Sequence, residues 1–158
     1  MAKGKTNAMR ILDAAKIQYH MMSYEVKDGK IDGVSVANKV GKNLEQVYKT
    51  LVAHGTSKAI YVFVIPVAEE LNLKKSAAAA GEKKIEMVAV KDIQKLTGYV
   101  RGGCSPVGMS KKYPTFIQSE AEVLETIVVS GGKIGTQIEI QPALLADVTA
   151  AKFADLIK

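Results

Sequence analysis

Apolar and polar positions alternate along this chain in short segments of changing period, and one of them sets the problem for the rest. In Val47-Tyr48-Lys49-Thr50-Leu51-Val52 a lysine and a threonine stand side by side inside an apolar run. At the two-residue period of a strand, Val47, Lys49 and Leu51 share one face, and Tyr48, Thr50 and Val52 share the other. A charged amine on a mainly apolar face must reach water, meet an anion, or hold its proton less tightly. At helical spacing, Leu44, Val47, Tyr48 and Leu51 fit as well, and Lys49 would then sit on a wet face. Periodicity leaves strand and helix both open here.

The flanking patterns are more decisive. Thr6 suits the cap of a helix running to about Lys16, with Met9, Ile11, Leu12 and Ala15 as its apolar stripe, and residues 1–5 are expected to fray. Residues 19–24 read as a strand, and Asp28-Gly29-Lys30 and Asp32-Gly33 as turns. Ser35 is the expected cap of a helix through Val40, closed by Gly41, with a further helical turn from Asn43. The branched and aromatic run 59–64 is the clearest strand, buried on both faces. A helix is predicted over 69–80, ended by Gly81, then a strand over 84–90 and a helix over 92–96. Strands follow at 115–118, 126–129 and 137–141, a helical turn at 119–124, and a helix opened by Pro142. The tail 152–157 has no readable type. This irregular mixture predicts one α/β (α+β) domain over residues 1–158, built on a mixed, curved sheet flanked by helices.

Composition narrows the chemistry. Twenty-two Lys and Arg against 16 Asp and Glu give a formal charge of +6, which favours anionic partners, nucleic acid first. Aromatic residues make up only 6% with no tryptophan, which argues against a base-stacking platform. The lone Cys104 can form no disulfide within the chain, and His20 and His54 lack ligand spacing; a reducing, cytoplasmic setting without a metal or cofactor is expected. No apolar run reaches the roughly 18–20 residues of a membrane span.

Among candidate sites, no phosphate loop or dinucleotide fingerprint is present, and Cys104 would need a histidine folded beside it to act as a nucleophile. Two glycine pairs remain: Gly102-Gly103 ahead of Ser105-Pro106, and Gly131-Gly132 after Ser130. Adjacent glycines let main-chain N–H groups approach a ligand and converge on an anion. With Lys49 they suggest a site that works by positioning and polarisation.

These residues carry a resemblance. Val47-Tyr48-Lys49-Thr50-Leu51, Leu73-Lys74-Lys75, Lys84-Ile85-Glu86-Met87, Thr97-Gly98-Tyr99, Gly102-Gly103-Cys104-Ser105-Pro106 and Val129-Ser130-Gly131-Gly132-Lys133 together resemble the YbaK/EbsC family, from about Tyr19 onward. Its members are free-standing aminoacyl-tRNA deacylases, similar to the editing domain of bacterial prolyl-tRNA synthetases. The resemblance implies a six- or seven-stranded, barrel-like mixed sheet and a tRNA(Pro) wrongly charged with a small amino acid, cysteine in the best-matching branch. It implies Lys49 as the essential lysine, with Gly102 and Gly103 offering N–H donors to the ester carbonyl. Tyr24, Thr50, Ser105, Pro106, Ser130, Gly131 and Gly132 would line the same pocket. In the cysteine branch the substrate's own thiol attacks its ester, so no protein nucleophile is required. Prolyl-tRNA synthetase is implied as the partner that delivers the tRNA. Departures border the pocket: Met21-Met22-Ser23 before Tyr24, Arg101 beside the first glycine, and Cys104 where isoleucine is frequent. They leave hydrolysis of Ala-tRNA(Pro), or non-catalytic binding of tRNA or synthetase, as alternatives.

Overall fold

A computed structural model describes residues 5–158, so the expected fraying of residues 1–4 lies outside the described residues, while Lys5 is ion-paired with Asp13. Helix α1 (Asn7–Ala14) starts where Thr6 Oγ1 accepts the Met9 N–H at 3.2 Å. After strand β1 (His20–Ser23), helix α2 (Gly33–Val40) is capped by Asp32. The Asp32 carboxylate accepts the N–H of Ser35 at 3.1 Å and its hydroxyl at 2.7 Å. Asp32-Gly33 is thus a helix start in place of the expected turn, because the Asp32 carboxylate satisfies a first-turn N–H that the helix itself leaves free. Gly41, at φ 72°, closes α2 as expected, but Asn43 leads only into a turn closed by Gln46 N–H.

Strands β2 (Tyr48–Gly55) and β3 (Ile60–Pro66) form an antiparallel hairpin in which Lys49 faces Ile65 and Thr50 faces Val64. Pairing with the most apolar strand of the chain settles what periodicity left open, and the helical reading of 44–51 falls. Helix α3 (Leu73–Ala80) begins four residues later than predicted, because the Asn72 side chain caps it. Strand β4 (Ile85–Met87), helix α4 (Val90–Thr97) and strand β5 (Thr115–Gln118) follow, with a 3-10 turn at Ser119–Val123. Strand β6 (Ile127–Lys133) runs through the glycine pair that was expected in a loop. It pairs with β7 (Thr136–Ile140), after which come helix α5 (Pro142–Thr149) and strand β8 (Lys152–Ala154) in the untyped tail.

The strands divide into an antiparallel sheet of order β1-β7-β6 and a mixed sheet of order β4-β2-β3-β5-β8, with β3–β5 and β5–β8 parallel. The α/β class holds. The barrel-like single sheet gives way to two sheets joined by one parallel bridge, Val47 to Val128. β6 also slips register against β7 between Ser130 and Lys133, where such a bulge bends the strand. The main core lies between the sheets, where Tyr48, Val62, Val64 and Ile117 meet Ile127, Val129, Ile138 and Ile140 under α1 and α5. A second core on the far face of the larger sheet gathers Phe63, Ile65, Phe116 and Ala77. Each fully buried Val, Ile or Phe side chain among them contributes about 1.5–3 kcal/mol. Among the described residues no helix is long and apolar enough to cross a membrane.

Candidate active site

The site forms where a strand edge is left without a partner. β4 pairs only with Ala53–Gly55 at the far end of β2, and the bridge to β6 holds only Val47 at the near end. Between them the edge of β2 borders a cavity of about 520 Å³. Its other walls are the start of α2, the β4–α4 segment, the loop at 101–104, and Tyr24, Ser130 and Gln137 from the smaller sheet and its approach. α2 can come this close because Gly33 has no side chain: a Cβ there would sit 2.5 Å from Val67 Cβ.

Because the cavity wraps the strand edge, it receives both faces of β2. Lys49 reaches it from one face and Thr50 from the other. Lys49 is half-buried and forms no ion pair among the described residues. Burial holds its ammonium below the ordinary lysine value, while the nearby carboxylates of Glu70 and Glu69 pull it back upward. The hydroxyls of Tyr24 and Thr50 are buried and have no hydrogen-bond partner among the described residues. Such groups cost free energy unless they have something to bind. The Tyr48 hydroxyl is also unpartnered, but its ring belongs to the main core, where burial and Glu120 push the phenol up to about 12.

Cys104 lines the cavity with its thiol pushed up to about 11 by burial, a neutral and unreactive form near pH 7. Thr97 Oγ1 lies 4.0 Å from its sulfur; His20 sits on β1 opposite Glu139, and His54 lies at the far end of β2. The Cys–His arrangement that would make a nucleophile is therefore not formed.

The two glycine loops divide differently from the expectation. Gly102, at φ 87°, lines the cavity. Gly103 is turned away: its N–H donates to the Val100 carbonyl at 3.0 Å. A Cβ on Gly103 would lie 2.7–2.9 Å from the backbone of Lys133 and Ile134. Its expected donation to a substrate carbonyl is replaced by a packing role, since the loop must close against the β6–β7 turn. Ser105 is fully buried, with its Oγ accepting the Val107 N–H, and Pro106 borders a separate hollow of about 240 Å³. Ser130 lines the main cavity, but its Oγ accepts the Gly132 N–H, and the Gly131 carbonyl accepts the Thr6 hydroxyl. Lys49, Gly102, Tyr24, Thr50 and Ser130 are thus brought together, while Gly103, Ser105, Pro106, Gly131 and Gly132 stand behind the wall. Gln137, Val88 and Ile93 also line the cavity; nothing local in the sequence marks them, because distant pairing delivers them.

An unpaired strand edge, a lysine with no ion pair among the described residues, buried hydroxyls and a neutral thiol together give a cavity able to bind and polarise an anionic ligand. The chain belongs to the aminoacyl-tRNA editing domain family, whose model matches residues 32–148. An Enterococcus faecalis protein provisionally named Cys-tRNA(Pro)/Cys-tRNA(Cys) deacylase EbsC is 42% identical over 152 residues, covering 96% of this chain and 93% of that protein. A solved structure provisionally described as a trans-editing enzyme for prolyl tRNA synthetase superposes with a TM-score of 0.81 at 22% identity, over 96% of this chain and 97% of that one. A hypothetical protein of known structure superposes at 0.88 with 20% identity, over 96% and 99%. At these identities the two structures speak to the fold alone.

Proposed function

We propose that this protein is a trans-editing deacylase that removes cysteine from mischarged tRNA(Pro), with the editing domain occupying the whole chain. The observation that carries the reading is the cavity at the open edge of β2, which among the described residues offers a lysine without an ion-pair partner and unpartnered hydroxyls but no nucleophile–base pair. In this scheme the substrate supplies its own nucleophile. The cysteine sulfur bonds to its ester carbonyl carbon, the ester C–O bond breaks, and the thiol proton goes to the departing ribose hydroxyl. The products are uncharged tRNA and a cyclic thiolactone. Lys49 holds the tRNA end through phosphate or ester oxygens, and the Gly102 N–H polarises the carbonyl. Tyr24, Thr50 and Ser130 orient the aminoacyl group. Proximity and electrostatic stabilisation are the two effects required, and each is large enough to matter. Gly103, Ser105, Pro106, Gly131 and Gly132 support the wall from behind. Prolyl-tRNA synthetase is the proposed deliverer, in the cytoplasm.

The test is a deacylation panel on tRNA(Pro) carrying cysteine, alanine, serine or proline, with and without the synthetase. Cys-tRNA(Pro) should be cleared fastest, with thiolactone as first product. Faster clearance of Ala-tRNA(Pro) would replace cyclisation by attack of water on the same scaffold. Tight tRNA binding with no turnover of any ester would leave a non-catalytic binding module.

A further inference from the structure

The mouth of the cavity carries a feature that the proposed chemistry does not use. Gly102 sits where three separate segments meet: a Cβ there would lie 2.9 Å from Ile31 Cδ1 and 3.5 Å from Ile134 Cγ1. The adjoining Gly103 packs on the backbone of Lys133 and Ile134. These contacts bring together, beside Gly102 at the cavity wall, the three segments that carry the exposed cations Lys30, Arg101 and Lys133. None of the three forms an ion pair among the described residues. The acids beside them are engaged: Asp28 pairs with Lys39 at 2.8 Å and also accepts the Lys30 N–H, and Asp32 caps α2 through Ser35. Arg101 itself lines the cavity that holds Lys49, so the positive side of the mouth is continuous with the interior.

We propose that Lys30, Arg101 and Lys133 form a cationic rim that takes the phosphodiester backbone of the tRNA acceptor end as it enters the cavity. Convergence from three loops onto one glycine is what a curved polyanion requires, whereas a compact anion would be served by one residue. Phosphate contacts of this kind orient a nucleic acid without reading its bases. The inference rests on the tRNA-editing reading, and it concerns binding, which can be measured apart from turnover.

Binding of uncharged tRNA(Pro) is to be followed across salt concentrations for the native chain, a Lys30→Gln/Arg101→Gln/Lys133→Gln variant, and a Lys58→Gln/Lys83→Gln control. The control removes two exposed cations at the opposite end of the β2–β3 hairpin. The rim variant should lower the slope of log K against log salt by about two to three and weaken binding at least tenfold, because each lost phosphate contact removes about one counterion. The control should match the native protein. On a minimal cysteinyl ester of adenosine, Lys30→Gln/Lys133→Gln should turn over at the native rate. An unchanged slope in the rim variant, or an equal loss in the control, overturns the proposal. Absence of deacylation by the native protein would sink the editing reading alone, since the slope comparison would still decide the rim.

Discussion

Gly102-Gly103 and Gly131-Gly132 are the same dipeptide, each with a serine nearby, and the fold uses them in opposite ways. In the first pair one residue faces the cavity and the other packs against backbone. In the second, both are consumed internally: the Gly132 N–H by Ser130, and the Gly131 carbonyl by Thr6 at the start of α1. A glycine pair is a capacity for close approach, and what approaches is decided by the neighbours. A related contrast separates Thr50 from Tyr48 on one face of β2: both residues line the cavity, but only Tyr48 is also a member of the main core.

The sharpest test of that division is Lys49→Met. Deacylation of Cys-tRNA(Pro) should fall by about 100- to 1,000-fold, the usual loss when an electrostatic group is removed. The unfolding temperature should hold or rise, because a desolvated ammonium is removed. Its folded pKa lies below its unfolded value, so the unfolded chain binds more protons in that window and Lys49 makes stability rise with pH there. A fall in melting temperature parallel to the lost activity would move Lys49 to the scaffold side.

Gly103→Ala should do the reverse. The added methyl meets backbone at 2.7–2.9 Å, so urea denaturation should show a loss of about 1–3 kcal/mol. Gly131→Ala should cost less, as its nearest atoms at 2.9–3.4 Å are side-chain methyls that can shift. Equal costs would deny that the two pairs differ.

Alkaline pH sharpens the reading of the thiol. Cys104, raised from 9.0 to about 11, and Tyr48 and Tyr99, raised from 10.0 to about 12, keep their protons longer folded than unfolded. Stability from these groups is therefore complete below pH 9 and lost as pH climbs through about 12. In Cys104→Ala the decline should begin nearer pH 10, where only the tyrosines titrate, with deacylation near pH 7 kept within a few-fold. Loss of activity with an intact fold would make the thiol a participant.

The smallest effect expected is from Tyr48→Phe. Removing a buried, unpartnered hydroxyl should change stability by about 1 kcal/mol or less, in the stabilising direction, with activity intact. Thr50→Val should be similarly mild for stability but lower turnover. Identical behaviour of the two variants would erase the distinction between cavity and core on that face.

Much of the fold was legible in the sequence because its signals are local. The run at 60–65, the Thr6 cap, the closing glycines at 41 and 81 and the proline opening α5 each depend on a few neighbouring residues. Where reading failed, the competing choices were also local: Asp32 took the cap assigned to Ser35, and Asn72 started α3 late. Lys49, Thr50, Tyr24, Gly102 and Ser130 were legible through family resemblance, whereas Gln137 and Ile93 left no trace.

By itself, the sequence determined the inventory: a mixed α/β domain, a lysine in an apolar segment, two glycine pairs and a single cysteine; that no histidine folds beside Cys104 was decided by the tertiary structure. Periodicity within six residues could not decide that Tyr48 to Val52 is a strand; the family resemblance favours the strand, and pairing with β3 establishes it. Only the tertiary structure decided which glycine faces the cavity, because hydrogen-bond donors are claimed by whatever carbonyl the folded chain brings near. The cavity lies where β4 pairs with β2 only from Ala53 and the bridge to β6 holds only Val47, leaving one strand edge open beside Lys49.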